Sequence, residues 1–128
     1  MLVCLHSMAL AAADGLGIRE RDVVLPVVPM FHVNAWGVPF ASTMVGAKQV
    51  MPGQHLDPES LLEDFEQEQV TFTAGVPTVF LAVLQTLDND PEAYDLSNMR
   101  SMAIGGSAAP ESMIRAFDER HGLSVLHA

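Results

Sequence analysis

Short apolar runs closed by proline or glycine alternate along this chain with segments of helical spacing, and that alternation leaves few folds open. Residues 23–28 form an apolar run ended by Pro29. Residues 47–51 end at Pro52-Gly53, residues 70–74 at Gly75, and residues 101–104 at Gly105-Gly106. Residues 123–126 make a fifth run. Runs this short and this apolar read as buried strands. Between them the spacing predicts helices. Residues 2–13 read as one, and residues 34–45 as another. Asp57 is placed to cap a helix whose first residue is Pro58, with Leu61, Leu62 and Phe65 on its inner stripe. Pro77 opens a helix, with Val76, Val79, Phe80, Val83, Leu84 and Leu87 at helical spacing. Residues 88–98 read as a polar loop. Residues 110–120 read as the last helix, with Met113, Ile114 and Phe117 inward and Gly122 as its stop. The expected architecture is α/β: a mostly parallel sheet flanked by helices on both faces.

In such sheets, small molecules bind where strands give way to helices. Three junctions carry residues suited to that. Pro29-Met30-Phe31-His32-Val33-Asn34-Ala35-Trp36 sets an imidazole and the only tryptophan four residues apart. His32 is suited to orient a ligand or to move a proton near neutral pH. The same residue could be a histidine hydrogen-bonded within a packed turn. Trp36 could wall an apolar pocket or simply fill the core. Gly105-Gly106-Ser107-Ala108-Ala109-Pro110 lets backbone approach a ligand and leads into a helix start with free N–H groups. A tight left-handed turn would need the same glycines. Gly75-Val76-Pro77-Thr78 is the third junction, where Thr78 could be no more than a polar residue of a first helical turn. His32, Thr78 and Gly105 are expected on one edge of the sheet.

Composition excludes several classes. The net charge is −10, Lys48 is the only lysine, and ten acidic residues with no basic one lie between Asp57 and Asp95. A nucleic-acid surface needs the opposite sign. The five histidines are scattered, with no pair at metal-ligand spacing. No GxxxxGK[ST] loop and no GxSxG elbow occurs. No apolar stretch approaches the ~20 residues of a membrane span. The apolar start, residues 1–13, lacks the basic flank of a signal peptide and reads as a buried helix. Cys4, the one cysteine, excludes an internal disulfide and fits a reducing, cytoplasmic setting.

Five ordered motifs resemble those of the AMP-forming acyl-CoA synthetases, in particular the medium- and long-chain fatty-acid:CoA ligase branch. They are Pro-Met-Phe-His-Val-Asn-Ala-Trp at 29–36, Met-Val-Gly-Ala-Lys at 44–48 and Leu-Asp-Pro-Glu-Ser-Leu at 56–61. Thr-Phe-Thr-Ala-Gly-Val-Pro-Thr-Val at 71–79 and Ile-Gly-Gly-Ser-Ala-Ala-Pro at 104–110 complete the set. The resemblance runs over residues 2–128. It implies a reaction that uses ATP and Mg²⁺ to turn a carboxylate into an acyl-adenylate, and then passes the acyl group to coenzyme A. It implies that His32 sits by the carboxylate under attack and that Trp36 guards the acyl tunnel beside Val33. Gly75, Val76, Thr78 and Gly105 fall near the acyl chain. Gly106, Ser107, Ala108, Ala109 and Pro110 fall on the adenine side.

The family's phosphate loop, its Mg²⁺-holding Glu motif, its ribose-binding Asp and its C-terminal domain with the catalytic Lys have no counterpart in these residues. The resemblance therefore implies an internal piece, 1–128, of the large AMP-binding N-terminal domain. Such a piece is expected to be inactive alone and to self-associate through uncovered strand edges. From the residues alone, a free-standing α/β binding module without chemistry is the alternative.

Overall fold

A computed structural model describes residues 1–12 and 15–127. The elements run α1 (Leu2–Ala11), β1 (Val23–Pro26), α2 (Val33–Trp36), α3 (Val38–Val45), β2 (Lys48–Gln49) and α4 (Pro58–Gln67). They continue with β3 (Phe72–Gly75), α5 (Pro77–Asn89), β4 (Ser101–Ile104), α6 (Glu111–His121) and β5 (Val125–His127). Ala13, expected to close the first helix, lies outside the described residues, as do Asp14 and the last residue, Ala128. The five strands are parallel throughout, in the order β2-β1-β3-β4-β5.

Alternation along each strand sorts side chains to two faces. Leu25, Met102 and Ile104 point to a core built with Leu61, Leu62 and Phe65 of α4, Phe80, Val83 and Leu87 of α5, and Met113 and Phe117 of α6. Val24, Phe72, Ala74 and Ala103 point the other way, to Ala35, Val38 and Ala41. α1 lies against α3 on that second side. Helices thus cover both faces, as the pattern of apolar runs requires. Phe72, Phe80 and Phe117 are fully buried, each worth about 1.5–3 kcal/mol of transfer free energy.

Helix starts follow local chemistry. Asp57 accepts from the Ser60 N–H at 2.9 Å and caps α4, and that bond holds its exposed carboxyl below the usual range. Pro77 stands in the first turn of α5 and Pro110 just before α6. α5 extends through Asn89, two residues into the segment expected to be loop. The edge strand β2 keeps two residues of the expected five, because only β1 is available to pair with it.

One expectation is corrected. The segment 34–45 is not one helix. Val33, Asn34, Ala35 and Trp36 have φ of 47°, 51°, 49° and 57°, and Gly37 has 73°. α2 is a left-handed turn, and right-handed winding starts at Val38. L-residues resist this backbone by about 1–2 kcal/mol each. Its surroundings hold it: Ala35 is fully buried, Ala35 N–H donates to His32 O at 3.0 Å, and Gly37 N–H donates to Asn34 O at 3.0 Å. Helical spacing carries no information on handedness, so sequence pattern could not separate the two segments.

A buried carboxylate locks the amino-terminal edge of the sheet. Asp22, only 4% exposed, precedes β1. Its Oδ1 accepts from Arg100 Nε at 2.9 Å and from the Thr71 hydroxyl at 2.8 Å, and its Oδ2 from Arg100 Nη2 at 2.9 Å. The Arg19 N–H adds a bond of 2.8 Å to Oδ2. Three segments leading into β1, β3 and β4 are thereby tied together, and the guanidinium also lies 5.4 Å from the Phe72 ring centre.

Candidate functional site

The strand order reverses direction at β1: β2 lies on one side of it, and β3, β4 and β5 follow on the other. A crevice opens at such a switch point, outside the carboxyl ends of the strands. The segments after β1, β3 and β4 all leave the sheet at that edge. His32, Thr78 and Gly105 are therefore brought to one edge, as the sequence predicts.

A cavity of about 320 Å³ lies there, lined by His6, Leu16, Val33, Trp36, Val38, Ala103, Gly105 and Gly106. Its wall is apolar except for His6. Four of the expected residues meet in it: Val33, Trp36, Gly105 and Gly106. Gly106 takes φ 83°, and a Cβ placed on it would stand 3.4 Å from both Trp36 Cζ2 and Val76 Cγ1. Val76 thus packs beside the cavity. The absence of a side chain at 106 lets the indole lie close to the loop backbone.

The remaining expected residues are arranged around this cavity and do not line it. His32 is exposed beside the turn, with its backbone fixed by a 3.0 Å bond from its N–H to Pro29 O and by the bond from Ala35. Thr78 is exposed in the first turn of α5. Gly75 is buried where β3 meets α5; a Cβ there would come within 2.8 Å of Phe80 Cε2 and 3.2 Å of Val27 Cβ. That glycine is required by packing. Ser107 and Ala108 are exposed on the loop, Ala109 is half-buried, and Pro110 precedes α6.

Sequence reasoning missed His6, Leu16, Val38 and Ala103. His6 donates from Nε2 to the Trp36 carbonyl at 2.9 Å, across 30 residues of sequence, and so supports the end of the left-handed turn. No local pattern marks such a contact. Leu16, Val38 and Ala103 read as ordinary core residues.

A second cavity, of about 270 Å³, opens at the other end of the sheet near Tyr94, Met99, Arg120 and His121. Two of its polar side chains are held by Asp88, which lies outside the lining: Arg120 at 2.8 Å and the His121 ring at 2.8 Å. Among the described residues, no group of three or more His, Cys, Asp or Glu side chains is placed to hold a metal ion. No helix among them is long and apolar enough to cross a membrane.

Known proteins share the sequence pattern and the fold. The pattern of the AMP-binding enzyme family matches residues 2–128. The chain is 57% identical over 121 residues to a long-chain-fatty-acid–CoA ligase of Thermus thermophilus, covering 94% of this chain and 22% of that protein. It is 46% identical over 125 residues to a medium-chain-fatty-acid–CoA ligase of Ectopseudomonas oleovorans, covering 97% of this chain and 22% of that protein. This chain therefore spans about a fifth of the length of these relatives. Among solved structures, a long-chain-fatty-acid–CoA ligase of Archaeoglobus fulgidus superposes with a TM-score of 0.84 at 22% identity, over 98% of this chain and 26% of that one. The last likeness shows the fold. The match over residues 2–128 and the identities over nearly the whole chain go further, and they establish that this chain belongs to the AMP-binding enzyme family.

Proposed function

We propose that this chain forms the adenine-side and acyl-side walls of an ATP-dependent fatty-acid:CoA ligase. In that reaction a carboxylate oxygen attacks the α-phosphorus of ATP and pyrophosphate leaves. The thiol of coenzyme A then attacks the acyl carbon and AMP leaves. The observation that carries the reading is the apolar cavity of about 320 Å³ at the sheet's switch point, where the Val33–Trp36 wall meets Gly105 and Gly106. An aliphatic tail fits such a wall. A flat purine fits a stretch of small residues, here Gly106, Ser107, Ala108, Ala109 and Pro110.

In this reading His32 meets the carboxylate under attack. Val33, Trp36, Val76 and Gly105 border the acyl chain. Gly75 acts through the packing of α5, and Thr78 stands at that helix's first turn. ATP and coenzyme A enter as substrates. Magnesium is different: among the described residues no group of three or more His, Cys, Asp or Glu side chains is placed to hold it, and in this reading its ligands come from outside this chain. Lys48, Arg21 and Arg100 stand at the amino-terminal ends of β2, β1 and β4, away from the crevice. In this reading, neutralising the triphosphate falls to groups outside this chain, and the isolated chain is inactive. A cytoplasmic location goes with it.

The test is a pair of assays. The ligase containing this chain should release pyrophosphate and form acyl-CoA in a fatty-acid-dependent manner over a series of chain lengths. The 128-residue chain should do neither. Ligation absent from the former, or fatty-acid-dependent pyrophosphate release from the latter, would defeat the reading.

Trp36→Ala is expected to change selectivity more than chemistry. It removes the ring packed against Gly106 and widens the cavity. The profile of kcat/KM against chain length should shift by about three- to tenfold between short and long acids, with kcat for the preferred acid within about threefold. A uniform loss at every length would contradict this role.

The reading also includes self-association. β2 and β5 each leave one edge unpaired among the described residues, and Leu2, Leu5, Met30 and Phe31 are exposed. Sedimentation of the isolated chain is expected to show dimers or larger species; a monodisperse monomer at high concentration would count against it.

A further inference from the structure

The loop after β4 has few ties. Gly105 N–H donates to Gly75 O at 3.2 Å and ends the strand ladder, while Pro110 O accepts from Met113 N–H and Ile114 N–H at the start of α6. Between those points, one backbone group is held among the described residues. Ala109 N–H donates to Nε2 of His127 at 3.4 Å. His127 is the last residue of β5, and its backbone stands opposite Ile104, the last residue of β4. A side chain of the neighbouring strand thus reaches the far end of the loop. At the near end, the Trp36 ring packs on Gly106. The loop is bracketed by an indole on one side and an imidazole on the other.

We infer that His127 is a positioning residue for the loop of residues 105–110, fixing through Ala109 the backbone that meets the nucleotide. This rests on the proposed reading of that loop as the adenine side of the site. A neutral imidazole has one acceptor nitrogen and one donor. Accepting at Nε2 places the ring proton on Nδ1. The bond also occupies the Ala109 N–H, so the backbone donors left to face a ligand are those of Gly106, Ser107 and Ala108. Glutamine at position 127 can offer an acceptor oxygen. Leucine, of similar size, cannot.

The first test needs no activity. In the isolated chain, H127L should speed amide exchange at Ala109 by about five- to tenfold relative to Met113, the scale of one net hydrogen bond. H127Q should restore most of that protection. Imidazole ¹⁵N shifts of the unaltered chain should place the proton on Nδ1. Unchanged exchange at Ala109 overturns the inference. If H127L does not fold, a proton found on Nε2 overturns it, and one found on Nδ1 supports it.

The second test uses the ligase containing this chain. H127L should raise KM for ATP by about fivefold, with kcat and KM for the fatty acid within about twofold and rescue by H127Q. A merely structural role would move all three constants and the melting temperature together, and would overturn the inference. A ligase with no ATP-dependent activity before mutation defeats the functional reading instead, and the exchange measurement then decides the tie on its own.

Discussion

In the proposed reading, His32→Ala in a fatty-acid:CoA ligase carrying this chain is expected to slow the adenylation half-reaction by roughly ten- to a thousandfold, the range for losing one donor aimed at developing charge. The residue stands at the carboxyl edge of the sheet, beyond β1, and in the proposed reading the substrate carboxylate approaches there. Its backbone is fixed on both sides, by Pro29 O and by the Ala35 N–H, so the imidazole is presented from a rigid point. The ring is exposed, and among the described residues it makes no hydrogen bond to protein. Single-turnover pyrophosphate release separates this step from thiol transfer. Unchanged adenylation in His32→Ala, together with its abolition at every chain length in Trp36→Ala, would reverse the assignment of the two residues.

Asp22→Ala is expected to lower the stability of the chain by about 2–3 kcal/mol. Removing one partner of a buried pair commonly costs about 3–5 kcal/mol. The lower figure applies because the Arg100 side chain is 36% exposed and regains water. The Thr71 hydroxyl and the Arg19 N–H lose a shared acceptor as well. Urea titration should show a lower midpoint with an unchanged slope. An unchanged midpoint would mean that the network adds nothing.

The same carboxylate gives a pH signature. Burial works against its ionisation, but bonds from Arg100, the Thr71 hydroxyl and the Arg19 N–H, with the charge of Arg100, outweigh burial and hold its pKa below the usual value. The unfolded chain therefore takes up this proton at a higher pH than the folded one. The stabilisation is whole above the unfolded value of about 3.9 and is lost as pH falls from there through the folded value. Asp22→Asn should flatten that part of the acid denaturation curve.

Much of the fold is legible in the sequence because strands buried on both faces must be apolar throughout. The runs around Val24, Phe72 and Met102 satisfy that demand, and Pro or Gly marks where each chain segment leaves the sheet. The site is legible to the extent that a parallel sheet sends its loops to one edge. Contacts between distant residues are not. Asp22 and Arg100 lie 78 positions apart, and His6 and Trp36 lie 30 apart. Neither pair leaves a periodic trace. At Gly75, glycine at a strand end invites a ligand reading, and the structure adds a packing demand from Phe80 and Val27 that the sequence does not show.

A turn wound as a mirror image inverts the usual merit order of amino acids. In ordinary helix or strand, glycine in place of valine weakens the chain; at residues 33–36 it would relax the backbone, and asparagine would serve nearly as well. Val33 and Trp36 are poor choices for that winding, yet they are the two side chains of the turn that line the cavity. Heat resistance and the shape of the apolar cavity therefore pull these positions in opposite directions. Variants selected for thermal endurance alone should drift there toward glycine and asparagine, and should trade away the shape of the cavity as they do.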